Sequence, residues 1–228
     1  MIELRGIERD FLVGDESVHA LREVDLTLPD GDYISVMGPS GSGKSTLLNV
    51  LGLLDRPNAG SYRLDDTETT DLPEERRAVM RRERVGFVFQ TFHLIPRLSA
   101  ADNIGLPMLL AGIESAQRQS RINEVLTSLD LTARAKHRPH QLSGGQRQRV
   151  AIGRAIVMRP RLLLADEPTG NLDRHAGDDV IALLEQLNAS GITLVVVTHD
   201  PSVGERARRH IRMVDGAITA DDGHDATV

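Results

Sequence analysis

Cysteine and tryptophan are absent from the 228 residues, aromatics make up only 3%, and lysine occurs just at Lys44 and Lys136 among 27 basic residues. Without cysteine there is no disulfide and no thiolate-based metal or redox chemistry, which fits a cytoplasmic protein without requiring one. No apolar run reaches the roughly eighteen residues that a membrane-crossing helix needs. The opening residues are equally unlike a secretory leader, because Glu3, Arg5, Glu8, Arg9 and Asp10 interrupt any apolar core. A net charge of −6 argues against nucleic acid as a partner, since such binding rests on neutralising phosphates with basic residues. Internal repeats and long low-complexity linkers are missing too. The length suffices for one large domain, or a core with subdomains, around a real hydrophobic core.

The scarcity of lysine makes Lys44 conspicuous. It sits in Gly38-Pro39-Ser40-Gly41-Ser42-Gly43-Lys44-Ser45-Thr46, which matches the phosphate-binding pattern G-x-x-x-x-G-K-[ST]. Glycines let successive backbone N–H groups curl around an anion, and a lysine supplies a compact point charge where arginine's planar fork does not fit. In this pattern Lys44 reaches the β- and γ-phosphates, while the Ser45 hydroxyl ligates Mg²⁺. A Gly/Ser-rich turn is the plain alternative. Its flanks argue otherwise: Tyr33–Met37 reads as a buried strand running in, and Ser45–Leu51 as a helix running out.

Upstream, strand-like alternation at Ile2–Ile7 and Val24–Leu28 brackets a turn near Gly14-Asp15, and Ser61–Leu64 returns to the same antiparallel layer. Phe11 offers a π-face for stacking on a purine; an ordinary half-buried strand aromatic is the other reading. Glu74–Arg84 alternates in charge, as a solvated helix face does. Val85–Phe89 reads as a buried strand whose end, Gln90, lies where open α/β sheets place ligands, within reach of Mg²⁺ or the attacking water; a strand-ending Gln is otherwise a surface residue. The apolar stretch Thr91–Gly112, broken by Pro96 and Pro107, either packs a helical subdomain or meets another protein, with most of its large side chains expected in the core. An amphipathic helix is expected from about Ser115 to Leu129. Ser143, Gly144, Gly145 and Gln146 open a further helix, with Ser143 as N-cap and backbone N–H groups left open as an anion-binding device or simply as a capped helix start. Leu162–Ala165 is a buried strand ending in Asp166 and Glu167, placed to hold Mg²⁺ through its water shell and to take a proton from the attacking water. Thr193–Thr198 is another, ending in His199, which is placed to hydrogen-bond the γ-phosphate or to position water, or else is structural. The tail from Asp215 is short and acidic and is expected to fray.

Taken together, Leu142-Ser143-Gly144-Gly145-Gln146, Gly38–Ser45, Gln90, Leu162–Glu167 and His199 resemble an ATP-binding cassette ATPase, in that family's motif order and over essentially the whole chain. The resemblance implies an α/β fold: a P-loop NTPase core with a mainly parallel sheet (residues 35–55, 85–90 and 159–220), an N-terminal antiparallel β-subdomain (1–34 and 56–70) and an inserted α-helical subdomain (91–158), followed by an acidic tail (221–228). It implies ATP and Mg²⁺ as cofactors and a head-to-tail dimer in which Ser143, Gly144, Gly145 and Gln146 of one copy cap the ATP held by Gly38 to Thr46 of the other. It puts Phe11 at the adenine-stacking position, where the family more often has Tyr, and Asp173 in the loop that crosses the dimer interface. Gly170-Asn171-Leu172-Asp173 with Val88–Pro96 is similar to the branch of lipoprotein-releasing, macrolide-exporting and cell-division cassettes. The implied partner is then an integral membrane permease, holding the chain at the inner face of the cell membrane. Within that branch the output is either transport or mechanical control of an extracytoplasmic process such as cell-wall remodelling. A DNA-repair cassette would need a coiled coil between Lys44 and Leu142, a ribosome-acting one usually carries two cassettes, and a GTPase would need an N-K-x-D motif. None of these is in the sequence.

Overall fold

The computed structural model describes residues 1–14 and 16–223, the side chain of Val13 excepted. Asp15 of the expected turn and residues 224–228 of the acidic tail therefore lie outside the described residues.

Two sheets form. The strands β1 (Ile2–Val13), β2 (Glu16–Leu28), β4 (Ala59–Leu64) and β5 (Thr67–Glu68) make an antiparallel sheet in the order β2-β1-β4-β5. The strands β3 (Tyr33–Met37), β6 (Val85–Phe89), β7 (Leu162–Asp166), β8 (Thr193–Val197), β9 (Arg209–Val214) and β10 (Ala217–Asp221) make a second sheet in the order β10-β9-β3-β8-β7-β6. It is parallel throughout except for the β9–β10 hairpin. The first hairpin is much longer than the alternation suggests. Register shifts between Leu4 and Ile7, Ile7 and Arg9, and Arg9 and Asp10 move side chains from one face to the other, so the period-two pattern breaks although the pairing continues.

Each central strand of the second sheet is apolar on both faces because both are covered. Leu162 and Leu164 of β7, and Val195 and Val197 of β8, pack with the antiparallel sheet and with helix α1 (Lys44–Leu51). Leu163, Ala165, Leu194 and Val196 face the other way, into a core shared with the helices α3 (Ala100–Leu110), α4 (Ser115–Ser128), α5 (Gly144–Ile156) and α6 (Arg174–Ala189). The charged helix α2 (Glu74–Arg84) is not wholly a solvated face. Arg77 is buried, donating to the carbonyls of Leu53 and Asp55 just beyond the end of α1.

Two expectations are corrected. The apolar stretch after Gln90 is less buried than its composition suggests: Ile104 and Met108 are in the core, but Ile95, Leu109 and Leu110 are 40%, 55% and 69% exposed. Only one face of α3 packs on α4 and α5, and the other carries these leucines. The chain beyond Asp215 does not fray at once. Asp215-Gly216 turns into β10, and Arg209 holds Asp221 through two hydrogen bonds of 2.8 and 2.6 Å while also donating to Asp32 and to the Thr27 carbonyl. A bidentate arginine–carboxylate pair, with the arginine nearly buried, pins the strand that local composition would leave loose.

Candidate functional site

The phosphate loop leaves the C-terminal end of β3, and its shape depends on two glycines. Gly43 has φ +95, and a Cβ there would stand 2.4 Å from the Ala20 carbonyl oxygen. A Cβ on Gly38 would stand 2.1 Å from the Met213 carbonyl oxygen on β9. Backbone is therefore packed against backbone on both sides, which no side chain permits. Gly43 is also the N-cap of α1, and no side chain caps that helix. Its first-turn N–H groups and the positive end of its dipole face the loop, the physical basis of anion binding at a helix start.

The crossovers complete the crevice. The helix after β3 packs on one face of the sheet and the helix after β7 on the other, so the chain ends of β3, β8 and β7 open onto a topological switch point. There lies a cavity of about 410 Å³ lined by Gly38, Ser40, Gly41, Ser42, Gly43, Lys44, Ser45 and Thr46 of the loop, by Asp166, Glu167, Val197 and His199 from the strand ends, and by Val18, His19 and Ala20 of β2. Lys44 Nζ donates to the carbonyls of Gly38 and Pro39, both at 2.8 Å, which holds the ammonium over the loop. Burial raises the Asp166 pKa, as does the neighbouring Glu167 charge, against the opposing pull of Lys44 and a hydrogen bond with Ser45.

Glu167 adopts φ +46, in the left-handed region that a bulky residue rarely occupies. Its N–H donates to the Val197 carbonyl at 2.9 Å, and Pro168 follows. Its Oε1 lies 2.6 Å from Nδ1 of His199, and its Oε2 accepts from the Thr198 hydroxyl at 3.3 Å. The hydrogen bond to Glu167 raises the His199 pKa, and the carboxylate's charge adds to it. The imidazole is otherwise open to solvent, with its side chain 74% exposed.

The remaining candidates stand outside this cavity. Ser143 caps α5: its hydroxyl accepts from the Gln146 N–H at 3.2 Å while the Gln146 side chain accepts from the Ser143 N–H at 3.0 Å. The two glycines after it lie against the loop before α6 and the first turn of that helix. A Cβ on Gly144 would meet Leu172 at 3.2 Å, and one on Gly145 would meet Ala176 at 3.3 Å. Asp173 is the N-cap of α6, accepting from the Ala176 N–H. Gln90 is exposed just past β6 and is not among the residues lining the cavity. Its side chain packs beside Gly170, and its carbonyl accepts from Asn171 at 2.9 Å. Phe11 is a directly paired neighbour of Val18, so it shares a face with a cavity-lining residue. The Arg9 guanidinium lies 4.4 Å over one face of its ring.

Sequence reasoning did not single out Val18, His19 or Ala20. They reach the cavity because the long hairpin folds β2 over the phosphate loop, and His19 Nδ1 is held there by Asp10 at 2.8 Å. The usable signal was the pairing of Phe11 with a β2 residue, which the register shifts conceal.

Comparison with known proteins accords with this geometry. The sequence model of a family described as ABC transporter matches residues 21–170. The chain is 50% identical over 220 residues to the macrolide export ATP-binding/permease protein MacB of Rhodopseudomonas palustris (strain BisB18), covering 96% of this chain and 34% of that protein. It is 47% identical over 223 residues to the macrolide export ATP-binding/permease protein MacB 1 of Yersinia pestis, covering 98% and 34%. The chain thus spans about a third of the length of the curated relatives it matches. A solved dimeric structure of the ATP-binding cassette MJ0796, in a post-hydrolysis state bound to ADP and Pi, superposes with a TM-score of 0.89 at 41% identity, covering 97% of this chain and 98% of that one. A second dimeric structure of MJ0796, described as a bacterial ABC transporter cassette, matches equally well at 42% identity. With a phosphate loop, two strand-end carboxylates and a histidine on one cavity, with the family model matching residues 21–170 and the fold agreeing over 97% of the chain, this chain belongs to the ABC transporter family.

Proposed function

We propose that two copies of this chain close head-to-tail on ATP, hydrolyse it with Glu167 as general base, and drive a membrane permease of the macrolide-export or lipoprotein-release type. One observation carries the dimer. Lys44, Ser45, Asp166, Glu167 and His199 line a single cavity, whereas Ser143 to Gln146 do not. A second copy that brings its own α5 start to the first copy's phosphate loop supplies the missing donors, and the dimeric state of the similar cassette MJ0796 supports a pair of copies.

Within one copy the roles divide by chemistry. The glycine-lined loop and the start of α1 wrap the β- and γ-phosphates, and Lys44 exchanges its carbonyl partners for phosphate oxygens. Glu167 takes the proton of the attacking water. His199, hydrogen-bonded to the same carboxylate, fixes its orientation and faces the γ-phosphate. Phe11, beside Val18 on the hairpin, offers the surface for the adenine ring. Gln90 approaches the metal and the water once the cassettes close.

Ser45 and Asp166 would hold Mg²⁺. The donor set fits a hard ion that keeps most of its water: both groups are oxygen donors, and no cluster of three or more His, Cys, Asp or Glu suited to a metal occurs among the described residues. Burial and the Glu167 charge disfavour a bare Asp166 carboxylate, and a cation held there would add to the compensation that Lys44 already gives. When bound, Mg²⁺ supplies neutralisation of charge on the β- and γ-oxygens.

No helix among the described residues is long and apolar enough to cross a membrane. The membrane partner is therefore a separate permease or a further part of a longer chain, and it holds the cassette at the cytoplasmic face. The exposed Ile95, five residues past Gln90, and the exposed Leu109 and Leu110 of α3 support docking through the segment that follows Gln90. The relatives, macrolide export ATP-binding/permease proteins, support export as the output.

A mixing experiment tests the composite site. Ser143→Arg subunits keep an intact phosphate loop, and Lys44→Ala subunits keep an intact α5 start. In a mixed dimer one site carries both lesions and the other carries neither. Mixing the two is expected to restore ATP hydrolysis well above either variant alone. Activity no higher than the parents would mean that Ser143 does not act across the dimer.

A further inference from the structure

The segment after Gln90 is held in an uncommon shape. Phe92 and His93 are consecutive non-glycine residues with φ +60 and +47. One left-handed side-chain-bearing residue is sterically unfavourable, and two in a row do not persist unless the surroundings impose them. Local contacts hold it in part: the Phe92 N–H donates to the Phe89 carbonyl at 3.2 Å, the His93 N–H to the Thr91 carbonyl at 2.6 Å, the Thr91 hydroxyl lies 2.7 Å from His93 Nε2, and the His93 ring tilts against Phe89 at 4.7 Å.

The restraint from outside the segment comes from the third turn of α5. The Arg154 guanidinium donates through Nη2 to the Phe92 carbonyl at 2.9 Å and through Nη1 to the His93 carbonyl, so one planar fork holds both left-handed peptides. About two turns nearer the helix start, Arg147 lies 5.0 Å over the Phe92 ring, and its buried Nε has no hydrogen-bond partner among the described residues. Between them Gln148, fully buried, donates to the Pro168 carbonyl at 2.7 Å, immediately after Glu167. The helix that opens with Ser143 and Gly144 therefore grips both the loop carrying Gln90 and the turn carrying Glu167.

We propose that Arg154 is a positioning residue: acting through the carbonyls of Phe92 and His93, it sets the conformation of the Gln90 loop and ties it to the helix that begins at Ser143. This rests on the reading of Gln90 as a hydrolytic residue. Lysine at this position keeps the charge but has no fork to span two carbonyls. Neither Arg154 nor His93 lines the nucleotide cavity, so ATP binding is expected to survive changes at either.

The test uses the full chain and combines amide hydrogen exchange with ATP hydrolysis. In Arg154→Lys, exchange over residues 90–95 is expected to rise by about tenfold while β7 and β8 keep their protection. The kcat is expected to fall by about tenfold with the KM for ATP within about twofold, the split expected for a loss confined to the chemical step. Adding His93→Gly, which removes the steric cost of the left-handed conformation, is expected to recover part of the kcat. Arg154→Gln is the second variant and is expected to repeat the pattern. Unchanged exchange over 90–95 would overturn the proposal, as would a uniform rise across the sheet, which signals mere destabilisation. So would a further fall in kcat on adding His93→Gly. Gln90→Ala, measured alongside, tests the underlying reading: near-normal turnover there removes Gln90 from the chemistry, while the exchange data still decide whether Arg154 holds the loop.

Discussion

Replacing Glu167 by glutamine separates the chemistry of this site from its architecture. The carboxylate is held at both oxygens, Oε1 by His199 at 2.6 Å and Oε2 by the Thr198 hydroxyl at 3.3 Å. A glutamine amide has the same shape. Its oxygen still accepts from His199, and its NH₂ can donate to the Thr198 oxygen. The backbone keeps φ +46, which glutamine tolerates no worse than glutamate. Little folding free energy is therefore expected to change, and Tm is expected to stay within about 2–4 °C, the shift that 1 kcal/mol produces in a chain of 150–250 residues. What disappears is the proton acceptor. A positioned general base is worth roughly 10²–10⁴ in rate, or about 2.7–5.4 kcal/mol of barrier. Phosphate release at saturating Mg-ATP is expected to fall by that factor, while ATP still binds and the loaded dimer accumulates, visible as a doubling of mass in light scattering. A fall of less than about tenfold with Tm intact would place the base elsewhere. A variant that remains monomeric with Mg-ATP would count against closure on nucleotide.

Two further outcomes follow from the same geometry. Gly43→Ala puts a methyl group 2.4 Å from the Ala20 carbonyl oxygen at φ +95, whereas Gly41→Ala, at φ +79, meets nothing within 4 Å. Titration calorimetry with ATP is expected to show Gly43→Ala weakening affinity at least about tenfold more than Gly41→Ala, because the second change carries only the left-handed strain of roughly 1–2 kcal/mol; equal losses would refute the close packing of β2 on the loop. In an NMR titration of the eight histidines, His199 is expected to titrate above 6.5 and to move back down in Glu167→Gln, since a neutral amide accepts a weaker hydrogen bond than the carboxylate and carries none of the charge that raises the His199 pKa. The sign for stability follows: with the folded pKa above the unfolded one, this pair's contribution is fully present below about 6.5 and is lost as pH rises through the folded value. A His199 pKa that ignores the substitution would show the 2.6 Å contact absent in solution.

What could be read from the chain alone follows from how local each signal is. Lys44, with glycines at 38, 41 and 43, is legible because a phosphate loop is one continuous stretch with its own strand and helix. Asp166 and Glu167 announce themselves by ending an apolar run too hydrophobic for anything but a strand covered on both faces. Ser143 reads as a helix start because an N-cap is a local device, closed within the first turn. Local reading failed where the cause is distant. The register shifts in β1 hide a hairpin thirteen residues long on its second arm, and with it the approach of Val18, His19 and Ala20 to the cavity. The acidic residues after Asp215 look loose until Arg209, on another strand, takes hold of Asp221. The leucines of α3 look like core because composition does not say which face has a neighbour.

The sequence by itself determined the phosphate loop, the carboxylate pair and the order of motifs, because each is written in contiguous residues whose backbone chemistry needs no other part of the chain. Only the tertiary structure decided that Glu167 and His199 share a 2.6 Å hydrogen bond, that Ser143 and Gln146 stand outside the cavity they are expected to complete, and that one arginine from the helix they begin grips the Gln90 loop. Those are relations between segments tens of residues apart. They are set by which faces of the sheet the helices cover, and no local pattern encodes that choice.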